Sequence, residues 1–283
     1  MILTQDNLQK LVELKHRSPH EVLGMHPLAD GSGVVVRAFL PDAAKVEVFP
    51  AGTDEPPAFE IHKVNDAGIF EGLSQATKKV FPYELNITYR NGRTWRTRDP
   101  YSFLPTLSEQ DLYLFGKGDE RKIYEKLGSQ LRTINGVTGT SFAVWAPNAQ
   151  RISVIGDFNS WDGRLHQMRM LGSSGVWEIF LPGVGEGTHY KYEVRDFNNR
   201  IRLKTDPYGF FFEVPPNNAS IVWNNRKFKW TDDAWLSKRS KSDPLRSPVS
   251  IYELHIGSWH KKSKAESFGY RDLAKPLITY LKE

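Results

Sequence analysis

One short segment, residues 159–163 (Asn-Ser-Trp-Asp-Gly), places an aromatic side chain among residues that favour turns. A tryptophan in such a loop is less easily explained as part of a hydrophobic core than a tryptophan within a strand. A flat indole ring can pack against the C–H face of a sugar ring, while polar neighbours bind the hydroxyls. The segment therefore predicts that Trp161 is a platform for carbohydrate.

Other residue pairs resemble chemical sites but have simpler explanations. Asp157 and Asp162 lie in one loop, where aspartate commonly forms turns. The glycine pairs at 31–33 and 185–187 lack the Lys-Ser/Thr of a phosphate-binding loop. His255 and His260 do not have a convincing zinc-site spacing. The sequence therefore predicts no catalytic residue, no metal site and no cofactor.

The composition is that of an ordinary globular protein and limits the possible partners. The 283 residues are 39% hydrophobic and 25% charged, with a net charge of +5 and no cysteine. Lysine and arginine are scattered, whereas a nucleic-acid surface needs a clustered stripe. No apolar run approaches the length of a membrane span, and the first residues do not resemble a signal peptide. We expect a cytoplasmic protein that binds neither nucleic acid nor membrane.

The elements that would hold the Trp161 loop occur twice along the chain. Residues 83–103 and 190–210 are identical at seven of 21 positions, with an offset of 107 residues. The shared residues include a tyrosine and an Asp-Pro-Tyr sequence. Short alternating apolar runs, broken by Pro, Gly and Asn, are typical of sandwich strands. Asn91-Gly92 and Asn198-Asn199 predict two-residue hairpin turns.

After residue 235 the sequence no longer shows the sandwich pattern. Residues 236–248 are rich in lysine and serine and predict a linker. Residues 249–256 predict a strand, and residues 268–283 carry leucine and isoleucine at helical spacing, with Pro276 expected to kink the helix or to start a later turn. A strand, a loop and a helix form one β/α unit.

Four segments carry a resemblance to known families. Residues 19–26 (Pro-His-Glu-Val-Leu-Gly-Met-His) resemble the opening of the first N-terminal module of glycogen branching enzymes. Residues 139–163 and 205–208 resemble carbohydrate-binding module family 48. Residues 250–259 (Ser-Ile-Tyr-Glu-Leu-His-Ile-Gly-Ser-Trp) are similar to the first barrel strand and loop of branching enzymes in glycoside hydrolase family 13. The doubled module favours bacterial branching enzymes over isoamylase-type debranching enzymes and trehalohydrolases, which have one module.

The resemblance implies a mainly β fold with two tandem immunoglobulin-like β-sandwiches, followed by the first β/α unit of an incomplete TIM barrel. The expected domains are the first sandwich at 1–106, a linker with some helix at 107–124, the second sandwich (carbohydrate-binding module family 48) at 125–235, a linker at 236–248 and the truncated barrel at 249–283. We expect a monomer.

The resemblance also implies an activity. A 1,4-α-glucan branching enzyme of glycogen biosynthesis is a glycosyltransferase that passes an α-1,4 glucan segment to a 6-hydroxyl and forms an α-1,6 branch. Such retaining chemistry needs two carboxyl groups about 5 Å apart. No position of this sequence matches them, so this chain alone is expected to bind α-glucan or to position domains. Two alternatives stay open: a non-catalytic interaction module, and the N-terminal part of a debranching glycoside hydrolase.

The expected site residues fall into two groups. Residues that correspond to the family's glucan contacts are Trp161, Lys191, Asn217 and Asn218. Residues that would shape the glucan cleft at the first barrel strand are Tyr252, His255 and Trp259. Trp145 and Trp177 lie in strand patterns and are expected in the core, and the first module lacks the tryptophan loop and is expected to be structural.

Overall fold

The computed structural model describes residues 2–53 and 55–283 and is mainly β. The first seven strands are β1 (Gly24–Pro27), β2 (Val34–Phe39), β3 (Ala43–Pro50), β4 (Phe59–Asn65), β5 (Ile69–Ser74), β6 (Tyr83–Tyr89) and β7 (Thr94–Arg98). The next nine are β8 (Gly128–Ile134), β9 (Val137–Trp145), β10 (Ala149–Gly156), β11 (Arg169–Met170), β12 (Val176–Pro182), β13 (His189–Asp196), β14 (Ile201–Lys204), β15 (Phe211–Phe212) and β16 (Ser220–Ile221). The α-helices are α1 (Gln5–Val12), α2 (Glu109–Lys117), α3 (Asp233–Ser240), α4 (Ile256–Trp259) and α5 (Tyr270–Lys282).

The chain forms two compact units, Met1–Lys227 and Phe228–Glu283. The first unit contains both sandwiches, and all of its sheets are antiparallel. This confirms the mainly β fold expected from the sequence. Within the described ranges, none of the helices is both long enough and apolar enough to cross a membrane.

The first sandwich is a single sheet, in the order β1-β2-β5-β4-β3-β6-β7, that folds over a shared core. Strand β4 pairs with β5 on one side and β3 on the other, which joins the two halves. Alternate residues of β2 enter the core, while Phe39, on its opposite face, packs with Leu8 and Leu11 of α1. Strand β2 is therefore buried on both faces, because a helix covers the face that a simple sandwich would leave in water.

The second sandwich has two sheets, β10-β13-β16-β15 with β14 beside β13, and β11-β12-β9-β8. Inward residues of both sheets form one core, which includes Phe142, Trp177 and Tyr190. Helix α2 lies within the segment 107–124, expected to be a linker with some helix. Its Leu112 and Phe115 pack on a cluster that contains Val176, so α2 covers the outer face of its sheet as α1 does in the first copy.

A buried glutamate fastens each covering helix to its sheet. Glu71 accepts hydrogen bonds from the backbone N–H groups of Ile2 (2.7 Å) and Leu3 (2.8 Å), just before α1, and pairs with buried Arg37 (2.9 Å). Glu178, at the equivalent position of the repeat, accepts from the N–H groups of Thr106 (2.9 Å) and Leu107 (3.3 Å), just before α2. The duplication thus includes the helix anchor as well as the strands.

The repeated Tyr and Asp-Pro-Tyr residues form a buried corner in each sandwich. Tyr83 donates to the Asp99 carboxylate, and Tyr190 donates to Asp206 at 2.6 Å. Both aspartates are almost fully buried. The seven identities therefore include a structural hydrogen bond that both copies need, because a buried hydroxyl and a buried carboxylate must each find a partner.

The two hairpin turns differ from the expected two-residue form. The N–H of Tyr89 donates to the carbonyl of Arg93, and the N–H of Asp196 donates to that of Arg200, so each loop has three residues. The last loop residue is left-handed in both copies, with φ of 80° at Gly92 and 60° at Asn199. A three-residue loop ending in a left-handed residue is the other common way to close a hairpin.

The second unit lacks the strand expected at 249–256. These residues form no strand before α4 begins at Ile256, and among the described residues no strand pairs with them. A β-strand satisfies its backbone groups through neighbouring strands, so its own propensity does not suffice. The expected helix is present as α5, which runs through Pro276. The β/α unit expected here is therefore not formed as a unit.

Candidate functional site

Strand alternation on β13 separates core residues from the candidate surface. Tyr190 and Tyr192 are buried, whereas His189 and Lys191 point to the opposite face and are half-buried. Lys191 lies opposite Ile155 of β10, one residue before that strand ends at Gly156. The loop that carries Trp161 follows directly, so β10 and β13 bring Lys191 and the loop to the same end of one sheet.

Asn159 fixes the path of the Trp161 loop. Its Oδ1 accepts from the N–H of Gly156 (2.9 Å), and its Nδ2 donates to the carbonyl of Val154 (2.9 Å). The chain then passes through two left-handed residues, Ser160 (φ 53°) and Trp161 (φ 61°). A bulky residue rarely adopts this conformation, so the surrounding hydrogen bonds must hold it there.

The far end of the loop is anchored by a buried guanidinium. Arg151 is fully buried, donates to the carbonyl of Gly163 (2.6 Å) and pairs with Glu193. A Cβ on Gly163 would lie 2.3 Å from the Glu193 carboxylate, so a larger residue would displace that side chain from its present position. The loop is thus tied to the sheet on both sides of Trp161.

The Trp161 ring is oriented by a chain of polar contacts. Its Nε1 donates to Asp157 Oδ1 at 3.2 Å, and Asp157 Oδ2 lies 3.2 Å from His189 Nδ1. The side chain of Trp161 remains 39% exposed. The indole is therefore held in a fixed direction while part of its face stays open to solvent.

The same surface continues through Lys191 to Asn218. Lys191 Nζ donates to Asn218 Oδ1, and the Asn218 carbonyl accepts from Thr205 Oγ1 at 2.7 Å. Asn217 is exposed beside it. The structure thus has two contact sets, Trp161–Asp157–His189 and Lys191–Asn218, and strand alternation puts His189 and Lys191 on the same face of β13. Sequence reasoning had not assigned Asp157 and His189 a part in the site, although the alternation of β13 already placed His189 on the face of Lys191.

The arrangement offers a flat apolar ring together with an amine, an amide and a carboxylate at one end of a sheet. Sugar rings present an apolar C–H face and a rim of hydroxyl groups, which this combination can bind by packing and hydrogen bonding. Asp162, by contrast, is committed to Arg164, with Oδ2–Nη2 at 2.6 Å.

His166 makes the loop sensitive to acid. Its Nδ1 lies 2.9 Å from Asn159 Nδ2, and since Asn159 Oδ1 already accepts from Gly156, Nδ2 is the donor and Nδ1 the acceptor. Burial lowers the pKa of His166 from 6.5 to about 4. A lowered pKa means that the unfolded chain binds a proton more readily, so this contribution to stability is lost as pH falls from about 6.5 through about 4.

We expect the free energy of unfolding of the unchanged chain to fall more between pH 7 and pH 4 than that of His166→Gln, because a protonated His166 no longer accepts the Asn159 hydrogen bond. The measurement is urea unfolding of both proteins at pH 7 and pH 4; the side-chain oxygen of the glutamine accepts the same bond without titrating. A variant profile identical to that of the unchanged chain would show that the loss has another source, such as the carboxylates.

The remaining expected residues lie elsewhere. In the second unit, Trp259 Nε1 donates to the Tyr252 hydroxyl (2.6 Å), and His255 Nδ1 is 2.9 Å from Ser258 Oγ. Trp177 is fully buried, as expected. The core assignment of Trp145 is wrong: it is 52% exposed, because its side chain lies on the outer face of β9, opposite that of Val144, and contacts Phe115 of α2.

Comparison with known proteins gives two family matches. Residues 4–101 match the family described as alpha-1,4-glucan branching enzyme GlgB, N-terminal domain. Residues 126–209 match carbohydrate-binding module 48 (isoamylase N-terminal domain). The second match contains Trp161 and Lys191 and ends before Asn218.

Similar curated proteins carry the name 1,4-alpha-glucan branching enzyme GlgB. The protein from Myxococcus xanthus is 46% identical over 285 residues, and that from Rubrobacter xylanophilus is 44% identical over 278 residues. They cover 97% and 98% of this chain, whereas the chain spans 37% of the length of each. Among solved structures, a pullulanase from Bacillus subtilis is a distant match, 17% identical with a TM-score of 0.32, over 74% of this chain and 28% of that one.

Proposed function

We propose that the chain is the N-terminal region of a 1,4-α-glucan branching enzyme, which its similarity to such enzymes supports. We further propose that its second sandwich binds α-1,4-glucan at the surface formed by Trp161, Lys191 and Asn218. The ligand is a glycogen-like or starch-like chain. The Trp161 indole packs on a glucose ring, and Lys191 and Asn218 bind hydroxyl groups. Asn217 is included as a neighbouring amide.

The observation that carries this proposal is the continuous set of contacts from Trp161 through Asp157 to His189, beside the Lys191–Asn218 pair. A partly exposed indole that is hydrogen-bonded in place loses little conformational freedom when a ligand binds. Preorganised groups give more affinity for the same contact area.

Replacing Trp161 with alanine is expected to abolish binding to glycogen, because the apolar face of the sugar loses its partner. The measurement is affinity electrophoresis of the 283-residue chain in gels with and without glycogen. Trp145→Ala is the matched control, since Trp145 is also an exposed tryptophan of the second sandwich but lies outside the contact set. The unchanged chain and the control should be retarded by glycogen, and Trp161→Ala should not.

Two results would contradict the proposal. Equal retardation of Trp161→Ala and the unchanged chain would remove Trp161 from the site. No retardation of any of the three proteins would favour the alternative that the sandwiches bind a protein or position a catalytic domain.

We further propose that the chain serves a glycogen branching enzyme, in which an α-1,4 segment is transferred to a 6-hydroxyl. No position here matches the two carboxyl groups that this chemistry requires, so the role of residues 1–227 is to hold and position the glucan. Tyr252, His255 and Trp259 would shape the cleft of the catalytic barrel. A cytoplasmic location and a monomeric state belong to the same proposal, and sedimentation of the intact enzyme checks the latter.

A further inference from the structure

A large cleft lies between the two sandwiches of the first unit. Its volume is about 1020 Å³, at the upper end of the roughly 300–1,000 Å³ typical of ligand sites. One wall comes from the end of β2 and from β6 and β7, and the other includes residues from 137–138, 157–159 and 181–188. Tyr101 and Leu165 lie where the walls meet. The cleft therefore requires both modules, and neither copy of the repeat contains it alone.

The junction beneath the cleft is built from direct hydrogen bonds between the modules. The Tyr101 hydroxyl donates to the carbonyl of Leu165 (3.1 Å) and accepts from the N–H of Gln167 (3.0 Å). The N–H of Met170 donates to the carbonyl of Arg17 (2.8 Å). Backbone groups of the second sandwich are thus satisfied by the first, which fixes the distance between the two walls.

Trp95 is the most exposed of the aromatic side chains that the first module presents to the cleft. Trp95 lies opposite Ile87, so both side chains are on the inner face of the sheet. Ile87 is buried in the core, whereas Trp95, on edge strand β7, is 62% exposed and lines the cleft. Among the described residues, no hydrogen bond or ring contact is found for its indole. The repeat has Arg202 at this position, so Trp95 is not required by the shared architecture.

The opposite wall joins the cleft to the Trp161 surface. Asp157 lines the cleft and also accepts the hydrogen bond that orients Trp161. The same wall includes Thr138, Thr188 and Glu186, which carry hydroxyl and carboxylate groups, and Glu186 Oε1 also accepts from Lys227 Nζ at 2.6 Å. These groups accept or donate hydrogen bonds to sugar hydroxyls. A linear chain that leaves Trp161 past Asp157 would enter the cleft directly.

We propose that the cleft between the sandwiches is a second α-glucan subsite, in which Trp95 packs on a glucose ring of the same chain that Trp161 holds. This inference rests on the glucan binding proposed above. The first sandwich then contributes to affinity for long chains only, since a short oligosaccharide that occupies the Trp161 surface does not reach Trp95.

Isothermal titration of the 283-residue chain with maltotriose and maltodecaose tests the subsite. Trp95→Ala is expected to weaken maltodecaose binding roughly three- to tenfold, the size of one aromatic contact, and to leave maltotriose unchanged. Trp161→Ala should weaken both ligands. Trp95→Phe should restore part of the maltodecaose affinity. The melting temperature of Trp95→Ala should stay that of the unchanged chain, because the indole is exposed.

The outcomes separate the two proposals. Unaltered maltodecaose binding by Trp95→Ala, with Trp161→Ala weakened, overturns the cleft subsite and leaves the Trp161 surface intact. Equal weakening of both ligands by Trp95→Ala overturns a separate subsite. If the unchanged chain binds neither ligand, glucan binding itself fails and the subsite fails with it.

Discussion

Replacing Glu178 with alanine is expected to lower the free energy of unfolding of the two-sandwich unit by about 3–5 kcal/mol. Glu178 is fully buried, and its Oε1 lies 3.3 Å from Arg169 Nη2. The truncation leaves a buried guanidinium without its anion. It also removes the acceptor of the Thr106 and Leu107 N–H groups, which hold the segment before α2 on the sheet.

Urea unfolding of the chain measures this loss, with Glu178→Gln as the matched control. Glutamine keeps a hydrogen-bond acceptor but not the charge. We therefore expect Glu178→Gln to be destabilised, but less than Glu178→Ala. Breaking a surface ion pair such as Lys10–Asp6 should lower the free energy of unfolding by less than about 1 kcal/mol. A loss as small as this for Glu178→Ala would mean that Arg169 finds water or another partner.

Asp206→Ala is expected to lower the free energy of unfolding by at least about 3 kcal/mol, because three donors lose this acceptor and each buried donor left without a partner costs about 1–3 kcal/mol. The carboxylate accepts from the hydroxyls of Tyr190 (2.6 Å) and Tyr192 (3.1 Å) and from the N–H of Tyr208 (2.8 Å). The repeat supplies the control. Asp99 accepts from Tyr83 and from the N–H of Tyr101, one donor fewer, so Asp99→Ala should destabilise less. If Asp99→Ala lost as much stability as Asp206→Ala or more, the number of donors would not explain the effect.

The same two carboxyl groups affect the pH dependence of stability. Burial raises the pKa of Asp99 from 3.8 to about 6 and also raises the pKa of Asp206. A raised pKa means that the folded state binds the proton more tightly. The contribution is present below pH 4 and is lost as pH rises through about 6, opposite in sign to that of His166. When the pH is lowered from 7 to 4, the free energy of unfolding of Asp99→Asn should therefore rise less, or fall more, than that of the unchanged chain.

The sequence predicted the fold well where local patterns and tertiary packing agree. The repeat, the alternating strands and the turn residues indicated two β-sandwiches, since a two-residue period leaves one apolar face that must be buried. Residues 249–256 do not form the predicted strand, because here the local pattern and the tertiary packing disagree. Their β-branched, aromatic pattern favours a strand, but strand pairing is a property of neighbours, and within the described residues none pairs with them.

Part of the candidate site could likewise be predicted from local sequence, and part depends on tertiary structure. Trp161 could be singled out from its turn-rich loop, because residue types that favour turns expose their neighbours. Lys191, Asn217 and Asn218 followed only from the family resemblance. The link through Asp157 and His189 depends on the pairing of β10 with β13, which no single segment of sequence specifies. Trp145 was assigned to the core because its strand pattern does not reveal that its side chain lies on the outer face of β9.

The sequence by itself determined the duplicated architecture, the family resemblance and the tryptophan loop, since these depend on residue types at short spacing. Only the tertiary structure decided that Glu71 and Glu178 each anchor a covering helix, and that Trp95 faces a cleft rather than a core. The hydrogen bonds that hold these residues join segments more than sixty residues apart in the sequence. Examples are the bonds of Thr106 with Glu178 and of Tyr101 with Leu165. Such contacts are set by how the two sandwiches pack, which local sequence patterns do not encode.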